Sequence, residues 1–265
     1  MASSVTSPNF SPINCPKLPL RFPRLLNNLR LPPATSSKSA ANATTFWSAA
    51  ESDVETHLLA SLPASPPRVV TSPMRRVLSA APRTIFPSLS LAACGLAGGD
   101  HGCAVPAASV IATCLAVLQA HGSGPTRAEL LAGDSLLPLA FEILVASDCV
   151  AADPARISKA AVEINGLVRA YCVEEGREGR IGECAAACGA ILGGGGEGEV
   201  ERLRRFGYNA GVMHGMVNRG RREAAEEFKM RATREVEEGG FEEGKVEMAK
   251  ELVQMWCGGT RSSNS

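Results

Sequence analysis

Apolar side chains recur at helical spacing along most of this chain, and the strongest pattern runs from Pro106 to Ser147. Its first half, Ala107 to His121, holds no Asp, Glu, Lys or Arg. A run that is apolar on every face predicts a helix buried on every side. The second half, Ala128 to Ser147, admits only Glu129, Asp134 and Glu142 among its apolar residues and predicts a second helix. Between them lie the breakers Gly122, Ser123, Gly124 and Pro125, which predict a tight helix–helix link.

The flanking segments carry the same period. Ser48-Ala-Ala-Glu51 has capping-box spacing, and Val54, Leu58 and Leu59 then share one face, predicting a first helix that ends at Leu62-Pro63. Ser72-Pro73 predicts the start of a helix over Met74 to Ala80. Pro87 opens a third, Ser88 to Leu96, stopped by Gly98-Gly99. Asp153-Pro154 precedes an amphipathic helix, Ala155 to Cys172. After a charged hinge, Glu174 to Arg180, the small-residue run Ile181 to Leu192 predicts another. Gly193 to Gly196 end it; they lack the Lys and Ser/Thr of a phosphate loop. Val200, Leu203, Phe206, Ala210, Met213 and Val217 mark the stripe of a long helix. Val246, Ala249, Val253 and Trp256 mark a last one beyond Gly239-Gly240. No hairpin signal occurs, and the fold class is all-α.

Composition narrows the function classes. The 265 residues hold 27 basic and 27 acidic side chains, so no bulk charge draws the chain to nucleic acid. The chargeless run near Val105 to Ala120 falls short of the ~20 residues a membrane span needs and reads as a core helix. Nine cysteines, an odd number, are scattered without a secretory segment, which predicts reduced thiols in a reducing compartment.

The first acidic residue is Glu51. Before it stand Lys17, Arg21, Arg24, Arg30 and Lys38 among Ser, Pro, Asn and Thr. Such an acid-free, Ser-rich leader predicts an organelle transit peptide, with plastid favoured over mitochondrion. The expected organisation is a disordered leader over 1–45, a helical domain over 46–258 and a disordered tail over 259–265. His101 and His214 stand apart from any partners at metal-site spacing and read as surface or satisfied histidines.

Four blocks carry a family resemblance: Leu89-Ser-Leu-Ala-Ala-Cys-Gly-Leu-Ala-Gly-Gly99, Ala104-Val-Pro-Ala-Ala108, Leu130-Leu-Ala-Gly-Asp-Ser-Leu-Leu137 with Ala140-Phe-Glu142, and Cys188-Gly-Ala-Ile-Leu-Gly-Gly194 with Glu199-Val-Glu-Arg-Leu-Arg-Arg-Phe-Gly207. In order and content they resemble plastid geranylgeranyl diphosphate synthases over most of Phe46 to Gly211. The resemblance implies the isoprenoid synthase fold, a helical bundle around a large cavity. It also implies condensation of an allylic diphosphate with isopentenyl diphosphate, in which two Asp-rich motifs hold Mg²⁺ against the charge that develops on the leaving diphosphate.

The catalytic blocks of that family have lost all or most of their functional residues here. Where active relatives place Asp-Asp-x-x-x-x-Asp after a His matching His121, this chain has Gly-Ser-Gly-Pro-Thr-Arg127. The second Asp pair falls on Asn218-Arg219, and no Asp follows Asp153. The Glu pairs Glu226-Glu227, Glu237-Glu238 and Glu242-Glu243 sit in charged stretches that predict solvated faces. The clamp for isopentenyl diphosphate falls on Pro82 to Pro87, where Arg83 is the residual basic residue. A diphosphate-binding Lys-Thr pair lands near Arg177-Glu178. Both Asp-rich motifs are absent.

The small subunits of heterodimeric plant prenyltransferases also lack those motifs and carry Cys-x-x-x-Cys segments used in association with an active large subunit. Cys184-Ala-Ala-Ala-Cys188 is similar to one; Ser90-Leu-Ala-Ala-Cys94 keeps half of the other. Four residues apart on a helix, Cβ atoms lie about 5–6 Å apart, too far for a disulfide. Cys184, Cys188, Cys94, Ala185 and Gly189 therefore read either as ordinary core packing or, on the resemblance, as a partner-binding face.

The resemblance implies a plastid, non-catalytic small subunit. It would bind a catalytic geranylgeranyl diphosphate synthase large subunit as heterodimer or heterotetramer and shift the product toward geranyl diphosphate. It implies no cofactor on this chain and Mg²⁺ in the partner. Two alternatives stand beside it: a plastid helical adaptor that tethers prenyltransferases to other enzymes, and a divergent prenyltransferase using Glu142, Asp134 and Glu163.

Overall fold

The computed structural model describes residues 39–62, 68–81, 84–147, 153–172 and 176–258. The expected leader, Arg83 and the 259–265 tail lie outside the described residues, the leader except for its last residues, where α1 begins. All described secondary structure is helical: α1 (Ser39–Ser61), α2 (Arg68–Ser79), α3 (Phe86–Leu96), α4 (His101–Gly122), α5 (Arg127–Ala146), α6 (Pro154–Tyr171), α7 (Arg177–Gly193), α8 (Glu197–Asn218), α9 (Arg222–Glu237) and α10 (Glu243–Gly258).

Local chemistry sets most of the helix ends. The Asp100 side chain accepts from the Gly102 amide at the start of α4. Thr126 and Glu129 form a reciprocal capping box on α5, which makes the preceding link as short as its breakers require. Asp153 caps α6 through the Ala155 and Arg156 amides, with Pro154 in the first turn. Gly194 ends α7 at φ 88°, a left-handed conformation that favours glycine.

Two expected starts were wrong. α1 continues through Ser48 from Ser39, because Ala43, Phe46 and Trp47 gain burial by staying helical; Trp47 meets Trp256 of α10 edge-on at 5.8 Å between ring centroids. α2 likewise begins at Arg68 and carries Pro73 inside it. In α1 tertiary packing outweighs a local capping signal.

α4 is the inner helix of one half of the bundle. Ala104, Val105, Ala107, Ala108, Val110, Ile111, Cys114 and Val117 are all buried, and α1, α3, α5, α6 and α7 surround it. Among the described residues it is the one helix long and apolar enough to cross a membrane by length and composition, and about 72% of its most apolar window is buried inside the bundle. α7 is the inner helix of the other half, packed on α3, α6 and α8. α9 and α10 close the bundle against α8 and α1.

Candidate functional site

Three places carry the functional argument: the α4–α5 link, the adjoining ends of α7 and α8, and the Cys184 face of α7.

At the link, the His121 ring lies over Gly133 of α5; a Cβ there would stand 2.4 Å from Nε2. Nε2 sits 4.0 Å from Asp134 Oδ1, too far for a hydrogen bond. The carboxylate of Glu129 is spent on the cap, accepting from the Thr126 amide at 2.9 Å and the Thr126 hydroxyl at 2.8 Å; those bonds hold its pKa below the usual range. Nothing else acidic occupies the link. A hard divalent cation needs several oxygen ligands at one point, and these residues do not supply them.

At the end of α8, the Asn218 amide nitrogen and His214 Nε2 are hydrogen-bonded at 3.0 Å. His214 packs edge-on to Phe86 of α3 at 5.9 Å, and burial pushes its pKa down to about 4 although Glu178 opposes the shift. It is a neutral ring at physiological pH. Arg219 Nη1 donates to Glu178 Oε1 at 2.8 Å, tying α8 to α7. Arg177 stacks its guanidinium over the Tyr171 ring at 5.0 Å. This site also lacks the ligand set a divalent cation requires. Among the described residues no group of three or more His, Cys, Asp or Glu converges as a metal site.

The carboxylates of the divergent-catalyst reading are not brought together. Asp134 and Glu142 are exposed on α5, while Glu163 of α6 holds Arg204 of α8 through two bonds of 2.9 and 2.7 Å. Arg204 also lies 3.7 Å from Glu183 and 3.3 Å from Glu201, so one guanidinium links α6, α7 and α8. Sequence reasoning missed this clamp and the Arg219–Glu178 pair. Each joins residues 41 apart, and no local spacing announces such a contact.

The Cys184 face lies within the chain's own packing. Cys94, Ala185, Cys188 and Gly189 are buried, and Cys184 is partly covered by Gly166 of α6, where a Cβ would stand 3.1 Å from its sulfur. Gly189 admits the α3 backbone; a Cβ there would meet the Ser90 carbonyl oxygen at 1.9 Å. The Cys94 thiol donates to the Asp100 carbonyl at 3.4 Å. Cys184 and Cys188 are free thiols, as their helical spacing requires. Burial, aided by the Glu163 charge, raises Cys184 to about 11 and Cys188 further. These residues set how closely α3, α6 and α7 approach.

His101 is likewise absorbed by packing: Nε2 lies 3.3 Å from Asp53 Oδ2, and its ring meets Phe46 edge-on at 5.7 Å.

The arrangement superposes on solved structures. The geranyl diphosphate synthase small subunit from Antirrhinum majus matches 80% of this chain and 98% of its own, at TM-score 0.70 and 30% identity. A chain of a mint deletion mutant of heterotetrameric geranyl pyrophosphate synthase, solved in complex with ligands, matches 79% of this chain and 99% of its own, at TM-score 0.69 and 32% identity. The bundle is thus an isoprenoid synthase fold with neither Asp-rich motif. No protein-family model matches the chain. In sequence it is 31% identical over 242 residues to the chloroplastic heterodimeric geranylgeranyl pyrophosphate synthase small subunit 1 of Cannabis sativa, over 73% of this chain and 76% of the relative. The chain belongs to the geranylgeranyl/geranyl diphosphate synthase family, in its small-subunit type.

Proposed function

We propose that this chain is a plastid regulatory subunit with no prenyltransferase activity of its own. It binds a catalytic geranylgeranyl diphosphate synthase large subunit and modifies its rate and product length, toward the ten-carbon geranyl diphosphate. The observation that carries the reading is the α4–α5 link, which joins two helices of the family scaffold without one carboxylate free to hold a metal. Without it the central electrostatic stabilisation of the leaving diphosphate is missing. The Mg²⁺ of the reaction is held by the partner, and this chain contributes no ligand to it. Plastid residence is supported by the acid-free leader and by the chloroplastic small subunit it resembles.

The Cys184 face takes part through shape. Cys94, Cys184, Ala185, Cys188 and Gly189 keep α7 close to α3 and α6, and that packing supports the outer surface offered to the large subunit. Arg83 remains as a residual cation of the diphosphate clamp.

Co-expression with a plastid geranylgeranyl diphosphate synthase, followed by product chain-length analysis, tests the proposal. A complex that makes more ten-carbon product, or turns over faster, is expected. Turnover by the purified chain alone with Mg²⁺ would overturn it, and a complex with unchanged rate and products would make the chain a tethering adaptor.

A further inference from the structure

The family implies a divalent cation near the end of α8, yet the residues there do not fit one. What stands in its place is specific. The Glu178 backbone lies against Gly211 of α8 and its side chain against Gly215, two close approaches that a Cβ would block. At Gly211 a Cβ would stand 2.1 Å from the Glu178 carbonyl oxygen, and at Gly215 a Cβ would stand 2.8 Å from the Glu178 Cδ. This carboxylate is only partly covered, its side chain 29% exposed, and it takes a cation as its partner. His214, beside it, is held neutral by burial and does not serve. Arg219 does, with Nη1 2.8 Å from Oε1.

The two helix ends favour the same pairing. Glu178 sits in the first turn of α7, where the helix dipole is positive, and Arg219 is the C-cap of α8, where it is negative. α7 and α8 pack along their length and bring these ends together.

We propose that the Arg219 guanidinium is a built-in cation that takes over the structural role of a metal at this position. It ties the start of α7 to the end of α8 whether or not Mg²⁺ or diphosphate is present. The chain therefore keeps its shape through the partner's cycle of loading and release, as a scaffold that acts on a catalytic subunit without its own substrate must.

Thermal melting of the full chain, without any partner, tests this independently of product analysis. The wild-type midpoint is expected to be the same in EDTA as in Mg²⁺ with pyrophosphate. Arg219→Met and Glu178→Gln should each lower it by about 1–3 °C, the range for a partly exposed ion pair in a domain of this size. The double variant should fall no further than either single one. Asn218→Asp with Arg219→Asp should melt lower in EDTA and recover on adding Mg²⁺ with pyrophosphate. A saturable metal-dependent rise in the wild type would overturn the proposal. So would additive effects of the two single substitutions, or an Asp variant that a metal does not rescue. If the Asp variant fails to fold, the Glu178/Arg219 cycle still decides.

Discussion

Gly182 of α7 and Gly207 of α8 face each other so closely that a Cβ built on either would stand 2.2 Å from the other's carbonyl oxygen. The two backbones touch with no side chain between them. One turn on, Gly211 meets the Glu178 carbonyl in the same way, so the contact is a seam rather than a point. This closeness brings Glu178 to Arg219 and puts Arg204 within reach of both Glu183 and Glu163.

Alanine at Gly182 or Gly207 should push α7 and α8 apart. The expected cost is about 1–3 kcal/mol, the usual penalty of overpacking a close contact, read as a lower urea midpoint. Gly198, also in α8, faces open space, and alanine there should be neutral or stabilise slightly. Equal behaviour of the Gly182 and Gly198 variants would refute the close seam.

Arg204 holds its partners in a half-buried setting. Its side chain is 24% exposed and that of Glu163 is 16% exposed, and the paired hydrogen bonds raise the Arg204 pKa above its ordinary value. Arg204→Met should cost about 1–2 kcal/mol, between the values for exposed and fully buried pairs. Pairing it with Glu163→Gln should recover part of the loss, since the most buried of its carboxylate partners then carries no unpaired charge. A double-mutant cycle on urea unfolding measures the coupling.

His214 gives a pH dependence of definite sign. In the unfolded chain the imidazole titrates near 6.5, whereas folded it titrates near 4. Above pH 6.5 neither state binds the proton and the stability is fully present. Between about 6.5 and 4 the unfolded chain takes up a proton that the folded chain refuses, so stability falls as the pH drops. His214→Gln should flatten that slope relative to wild type over the same window. Parallel slopes would mean that His214 is not held neutral.

The thiols should react in order of exposure. Among the described cysteines Cys172 is exposed and should alkylate first. Cys184, at about 11, has on the order of one thiolate per thousand molecules at pH 8 and should react slowly. Cys188 should react only on unfolding. Stability linked to Cys184 is complete below pH 9, its unfolded value, and is lost as the pH rises through 11. Mass mapping of labelled peptides against time checks the order; early labelling of Cys188 would contradict its burial.

Much of this fold was legible from local pattern. The chargeless run of α4, the Gly and Pro breakers of the link, the Asp153-Pro154 start and the glycine stop after α7 all act through bonds within a few residues. The missing carboxylates at the α4–α5 link and at Asn218-Arg219 were equally legible, because the absence of a side chain type is a property of sequence alone. Ser48 misled for the complementary reason: a capping signal competes with burial, and burial of Phe46 and Trp47 is decided by His101 of α4 and Trp256 of α10, far along the chain.

Sequence by itself therefore determined the helical class, the family scaffold and the loss of its metal ligands. Only the tertiary structure decided what fills the gap. Whether Cys188 faces a neighbour helix, whether Glu163 is free or clamped by Arg204, and whether Arg219 finds Glu178 all depend on backbones brought together at glycine contacts. Such contacts join residues far apart in the chain, and no spacing rule encodes them.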